Sequence, residues 1–227
     1  MIWIVFIATL GISFWASSRV RSQFRRYSTV SSWSGLTGAQ AARRILNEEG
    51  LQDVDITLTQ GELSDHYDPS TRTLALSESV FHGNSLSAVG VAAHEAGHAI
   101  QHAHAYQPLM WRMLAVRTTS TASGVLMIAP LVLGLLGKFI LGLTIAVICL
   151  AILMAFNLIT LPVEFDASRR AKTALVNSRI IAPGPEADGV NAVLNAAGFT
   201  YVAAFLSSLS WFLLRLVELL GLTSNDD

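Results

Sequence analysis

Two histidines four residues apart, with a glutamate beside the first, are the side chains of this chain best placed to do chemistry. They form His94-Glu95-Ala96-Gly97-His98, inside the stretch Val91 to Gln101. In a helix, positions i and i+4 share a face, so both imidazoles can hold one metal ion. Glu95, one step round, can then take a proton from an attacking water. This is the H-E-x-x-H pattern of zinc hydrolases, chiefly peptidases, with one Zn2+ per chain. Ala92, Ala93, Ala96 and Ala99 favour the helix. Gly97 disfavours it by about 1 kcal/mol relative to alanine, which suits a position where something must approach the backbone closely.

Catalytic zinc takes three protein ligands and keeps one position open. His104 lies six residues after His98, as in metzincins, but Gln101 stands where those proteins have a turning glycine. His102, one turn after His98, shares its face and is a candidate to orient a ligand; His102 and His104 also read as helix-surface histidines. A better third ligand is Glu164, in Leu161-Pro-Val-Glu-Phe-Asp-Ala-Ser168. Pro162 breaks the preceding apolar helix or starts the next, and a helix beginning there carries Glu164, Ser168 and Ala171 on one face. Glu164 can then bind the ion while Ser168 orients another ligand. Alternatively, Glu164 and Asp166 are charges that favour a helix N-terminus.

The elements that must position these groups include long apolar runs. The chain has 227 residues, 52% hydrophobic and only 14% charged, with a mean hydropathy of +0.49. Soluble domains have about 25% charged residues, so this is a membrane protein with a modest polar part. Residues 1–17 form an anchor with Trp3 and Trp15 at the two interfaces, followed by Arg19, Arg21, Arg25 and Arg26. Charge after the apolar run, not before it, is the reverse of a secretory signal. Residues 121–161 read as a transmembrane hairpin turning at Gly137-Lys138, with Pro130 tolerable inside a membrane helix. Residues 201–222 read as a fourth span, in which Arg215 and Glu218 can pair at i, i+3. Arg112 and Arg117 precede the hairpin; Arg169, Arg170, Lys172 and Arg179 follow it, while Lys138 alone marks the far turn. The positive-inside rule therefore places residues 18–120 and 162–200 in the cytoplasm and the tail Ser224 to Asp227 outside.

Between the first span and the His94 helix, Thr37 to Gly50 reads as a helix with Thr37 as N-cap and Gly50 at the C-cap. Val54 to Thr59 and Arg72 to Ser77 alternate like strands, with turn chemistry at Asp68-Pro-Ser-Thr71. The expected fold is thus mostly helical (α+β): about four transmembrane helices and a small cytoplasmic zincin-like domain with a short sheet. If Thr73, Leu74, Ala75 and Leu76 lie on a free edge, they can pair with an extended substrate peptide and lay its carbonyl beside the metal; otherwise the sheet only covers the helix.

Composition also excludes. Cys149 is the one cysteine, so neither an intramolecular disulfide nor a zinc site of several thiolates is possible. A net charge of −1 argues against nucleic acid as partner. The partners that fit are the lipid bilayer and a protein or peptide substrate; nothing in the sequence sets an oligomeric state.

At Tyr67-Asp68-Pro69, Ala93 to Gln101, Leu161 to Ser168 and Thr200-Tyr-Val-Ala-Ala204 the chain resembles the bacterial neutral zinc metallopeptidases of the YugP type, membrane proteins of similar length. That family is similar to the wider HtpX-like membrane gluzincins, in which H-E-x-x-H and a later Glu bind zinc. The resemblance implies His94, His98 and Glu164 as ligands, Glu95 as general base, and a multi-pass protein of the bacterial inner membrane. In the wider group an Asp commonly stands four residues after the ligand Glu; here it is Ser168. Tyr201, at the polar end of the fourth run, is a candidate oxyanion donor, as are His66 and Tyr67; an interfacial aromatic anchor is the other reading of Tyr201. An intramembrane-cleaving protease fits less well, because the segment from Leu86 to Tyr106 is too polar for a lipid-facing span. Neither a scaffold with structural zinc, which wants four closed ligands, nor a metal transporter, which wants charges within the spans, fits better.

Overall fold

A computed structural model of the chain describes residues 2–221. The long helices are α1 (Ile2–Tyr27), α5 (Gln107–Leu135), α6 (Phe139–Asn177) and α7 (Pro185–Leu219), and each is long and apolar enough to cross a membrane. Between α1 and α5 lie α2 (Gly38–Glu48), β1 (Asp55–Thr59), β2 (His66–Asp68), β3 (Thr73–Ser77), α3 (Glu78–Phe81) and α4 (Leu86–Ala103). In the long-helix layer, α7 packs against both α1 and α6, and α6 also packs against α5. The residues expected in the tail, Ser224 to Asp227, and the last residue of the fourth run, Leu222, fall outside the described residues.

The helices extend well past the apolar runs that announce them. α5 begins at Gln107 rather than at 121, and α7 at Pro185 rather than at 201. α6 continues through Pro162 to Asn177, which corrects the expectation that Pro162 ends or begins a helix. A proline removes one backbone donor and crowds the preceding turn, but a helix packed on several sides can absorb that defect. The consequence is structural: Glu164 stands on the same rigid rod as the apolar segment before it.

α4 is the centre of the polar part and is buried along most of its length. Its N-terminus is capped by Ser85, whose hydroxyl accepts from the Ala88 amide. α2 covers one side of it, held by a capping box in which Thr37 accepts from the Gln40 amide and Gln40 returns the bond. The C-cap of α2 is Glu49, and Gly50 follows it at φ +74°, a left-handed turn that glycine takes without strain. Ile45, Leu46, Leu74, Leu76, Val80 and Val89 fill the space between α2, α4 and the sheet.

The sheet has three strands in the order β1-β3-β2, with β1 parallel to β3 and β2 antiparallel to it. β3 is therefore the central strand, and this overturns the expectation of Thr73, Leu74, Ala75 and Leu76 as a free, substrate-aligning edge. All four pair with β1, Thr73 to Ala75 also pair with β2, and beyond them the Asp65 carboxylate accepts from the Ser77 amide. The alternation of Arg72 to Ser77 revealed a strand but could not reveal its neighbours: His66–Asp68 is too short to show a period. Leu74 and Leu76 are fully buried, as a central strand beneath helices requires.

Candidate metal centre and active site

α4 and α6 cross at Gly97. A Cβ built on Gly97 would sit 2.7 Å from the Ala167 carbonyl oxygen, so only glycine lets the two backbones come this close. The crossing sets one turn of α4, carrying His94 and His98, against one turn of α6, carrying Glu164 and Ser168. His94 Nε2 lies 3.2 Å and His98 Nε2 3.6 Å from Glu164 Oε2, and the three donor atoms are all within 4.8 Å of one another. Around a tetrahedral ion with bonds of about 2.0–2.2 Å, ligand atoms stand roughly 3.3–3.6 Å apart. Two imidazole nitrogens and one carboxylate oxygen are also the donor chemistry zinc prefers, and they leave a fourth position. The residues fit a catalytic zinc.

Each histidine is oriented from behind. Ser168 Oγ lies 3.1 Å from His94 Nδ1. Gln101 Oε1 lies 3.0 Å from His98 Nδ1, and Gln101 Nε2 donates to Val163 O at 2.8 Å and to Asp166 Oδ2 at 2.9 Å. Both amide protons of Gln101 are thus committed to oxygens, so its own oxygen must accept. His98 therefore carries a proton on Nδ1, which leaves Nε2, the nitrogen facing Glu164, as the one that can ligate a metal. Asp166 in turn accepts from Arg170 at 2.6 Å and from Arg169. Burial alone would raise the Asp166 pKa; the bonds from Arg170, Gln101 and Arg169 outweigh it and hold the group ionised below its usual range.

The same opposition governs the converging groups. Burial would push the Glu164 carboxyl up, but hydrogen bonds and charge from His94 and His98 outweigh it and draw it well below the usual carboxylate range. Burial would lower the His98 pKa, yet Glu164 at its Nε2 raises it. Metal binding at such a donor set requires deprotonated ligand atoms, so affinity for the ion depends on pH.

His102 does not belong to this network, which corrects its placement as a group behind the ligands. Its Nδ1 lies 3.0 Å from the Tyr67 hydroxyl and its ring beside the Tyr67 ring, while Gln101 holds His98. A shared helical face with His98 leads outward to β2, not to the metal centre. His104 caps α4 and stands near Arg170, away from the donor cluster. Spacing alone did not single out Gln101, although an amide three residues after one histidine and seven after the other, on the same helical face, was the available signal. Arg112 was read only as a topological charge; its Nη1 lies 3.3 Å from Glu164 Oε1. No spacing rule links the start of α5 to a carboxylate on α6.

Two cavities meet at the donor cluster. One, of about 340 Å³, has His94, Glu95, Glu164 and Ser168 in its wall; the other, of about 270 Å³, has Glu95, His98, Glu164 and Arg112. Tyr201 and Asp65 line both. Glu95 is buried and faces this space beside the ligands. A larger open groove, of about 800 Å³, runs along α1 but contains none of the donor residues and has no part in this chemistry.

The family described as "Putative neutral zinc metallopeptidase" matches residues 2–221. The chain belongs to this family. A protein of Bacillus subtilis (strain 168) named "Putative membrane protease YugP" is 48% identical over 215 residues, spanning 93% of this chain and 92% of that protein. No solved structure matches. The family's name implies zinc, and in this chain His94, His98 and Glu164 are the residues whose donor atoms converge on one point.

Proposed function

We propose that the chain is a zinc-dependent, membrane-bound endopeptidase that hydrolyses peptide bonds of membrane or membrane-associated proteins at the cytoplasmic face. The observation that carries this is the convergence of His94, His98 and Glu164 on one point with Glu95 in the same cavity wall. His94, His98 and Glu164 would hold the ion. When bound, zinc supplies Lewis-acid polarisation of the substrate carbonyl and makes the attacking water more acidic. Glu95 takes the proton from that water and hands it to the leaving nitrogen, a role worth about 10²–10⁴ in rate. Tyr201, in the wall of both cavities, is the proposed donor to the oxygen that gains charge. Ser168 and Gln101 keep both imidazoles turned inward throughout.

The cytoplasmic placement is supported by charge: the helix ends nearest the site carry Arg19, Arg21, Arg112, Arg169 and Arg170, whereas Lys138 marks the opposite turn. α4 is not among the four helices apolar enough to cross a bilayer, so its histidines fit a site at the membrane's edge rather than within it. Glu95→Gln preserves the ligands and removes the base. The purified variant is expected to bind one zinc per chain and to lose proteolysis by about 10²-fold or more. Undiminished turnover in the zinc-loaded variant would refute the assignment and leave zinc with a structural role.

A further inference from the structure

Two cavities adjoin the donor cluster, and both have walls that are largely apolar. The 270 Å³ cavity presents Arg112, His66 and Tyr67 to whatever enters. The 340 Å³ cavity is walled away from the cluster mainly by Val20, Phe24, Val91, Val193, Leu194 and Ala197, with Arg21 beside them on α1. Glu95, Glu164, Asp65 and Tyr201 stand between them, facing both. A peptide laid across the cluster would thus have a recess on each side of the bond at the metal.

The 340 Å³ recess is assembled from helices far apart in sequence. From α1 it takes Ser17, Val20, Arg21 and Phe24, at i, i+3, i+4 and i+7, which is one face of that helix. The rest of α1 is largely exposed, with Ala16 its one buried residue among those described. From α7 it takes Val193, Leu194 and Ala197, directly before Tyr201. Its size lies at the lower end of the range for ligand pockets, roughly 300–1,000 Å³, and so suits one large side chain rather than a folded segment. Ala197 is the smallest side chain of the apolar wall, and its methyl leaves the space open.

We infer that this recess between α1, α4 and α7 selects the substrate by taking a large apolar side chain adjoining the bond to be cut. The inference rests on the peptidase reading above. Leucine, phenylalanine, isoleucine or methionine matches the apolar part of its lining, against which a polar side chain would lose hydration. Val20 on α1 and Ala197 on α7 both line it and can be resized separately.

The test uses the full-length, zinc-loaded protein in nanodiscs and a random-sequence peptide library, with new termini read by mass spectrometry. Wild type is expected to favour large apolar residues at one position adjoining the cut. Ala197→Trp fills the recess and should lower the rate ratio of leucine to alanine substrates by roughly tenfold or more, as pocket discrimination of a few methylenes allows. Val20→Ala enlarges it from α1 and should raise tryptophan and phenylalanine over leucine; it carries the test alone if Ala197→Trp does not fold. Zinc content equal to wild type in both variants separates selection from loss of the metal centre. Absence of any apolar preference in an active wild type, or variants that cut with the wild-type ratio, would overturn the inference while leaving the peptidase reading intact. A wild type that cuts no faster than Glu95→Gln would sink both.

Discussion

Gln101→Leu removes the group that joins α4 to α6 behind the metal centre while keeping the volume of a fully buried side chain. Three hydrogen bonds go with the amide: from His98 Nδ1, to Val163 O and to Asp166 Oδ2. Asp166 retains Arg170 and Arg169, so its loss is the smallest of the three. His98 Nδ1 and Val163 O are left buried without these partners, at about 1–3 kcal/mol each. The imidazole is also released from the tautomer and angle that aim Nε2 at Glu164. Removal of an outer hydrogen-bond partner of a ligand histidine typically weakens metal binding 10–100-fold, about 1.4–2.7 kcal/mol. Chelator-competition titration of the full-length protein in detergent should therefore show zinc affinity lowered by one to two orders of magnitude. His102→Ala is the matched control, because His102 touches Tyr67 and none of the three ligands; its zinc affinity should stay within about twofold of wild type. Equal zinc affinity for Gln101→Leu and wild type would refute the claim that Gln101 orients His98.

Gly97→Ala forces a methyl against the Ala167 carbonyl at the helix crossing, so α4 and α6 must separate by several tenths of an ångström; zinc affinity is expected to fall more than tenfold with helix content preserved, read by titration and circular dichroism. In the metal-free protein, the raised pKa of His98 stabilises the fold fully below its unfolded value of about 6.5, and that contribution is lost as pH rises through the higher folded value. The melting temperature of the metal-free protein should fall across that rise, whereas zinc, which requires neutral imidazoles, should reverse the trend; parallel melting curves with and without zinc check both signs. Saturating zinc at 100 times its dissociation constant should stabilise the wild-type protein by about 2.7 kcal/mol, and Glu95→Gln equally, because Glu95 is not among the converging donors.

The sequence was most legible where one helix or one strand carries its own period. Four apolar runs announced four long helices, and spacing placed His94 and His98 on one face of α4. Glu164 and Ser168 were legible as a pair one turn apart. What spacing could not convey was which face of α4 meets α6. Gly97 marked that face, since its close neighbour is the Ala167 backbone, but glycine in a helix signals a near approach without saying to what. His102 was misplaced for the same reason: a shared stripe on a helix of eighteen residues reaches β2 at one end and α6 at the other. The β3 edge was misjudged because strand order is a long-range property, decided here by the three residues of β2.

The walls of the site are continuations of the apolar helices, and this constrains how the enzyme is built. Glu164 lies on α6 beyond its apolar segment, Arg112 on the first turns of α5, Tyr201 midway along α7 and Val20 on the second half of α1. Residues between α1 and α5 contribute α4 and the segment from Leu63 through β2 to Pro69. A fragment limited to 18–120 would keep His94, Glu95 and His98 yet lack the carboxylate, the serine behind His94 and the partners of Gln101. The two histidines of such a fragment would have one turn of helix to hold them and nothing to close the coordination. The long helices are therefore part of the candidate metal centre rather than its tether. Motion that changes the α4–α6 crossing at Gly97 must change the distance between Glu164 and the imidazoles, because α6 runs unbroken through Pro162 to both Glu164 and Ser168.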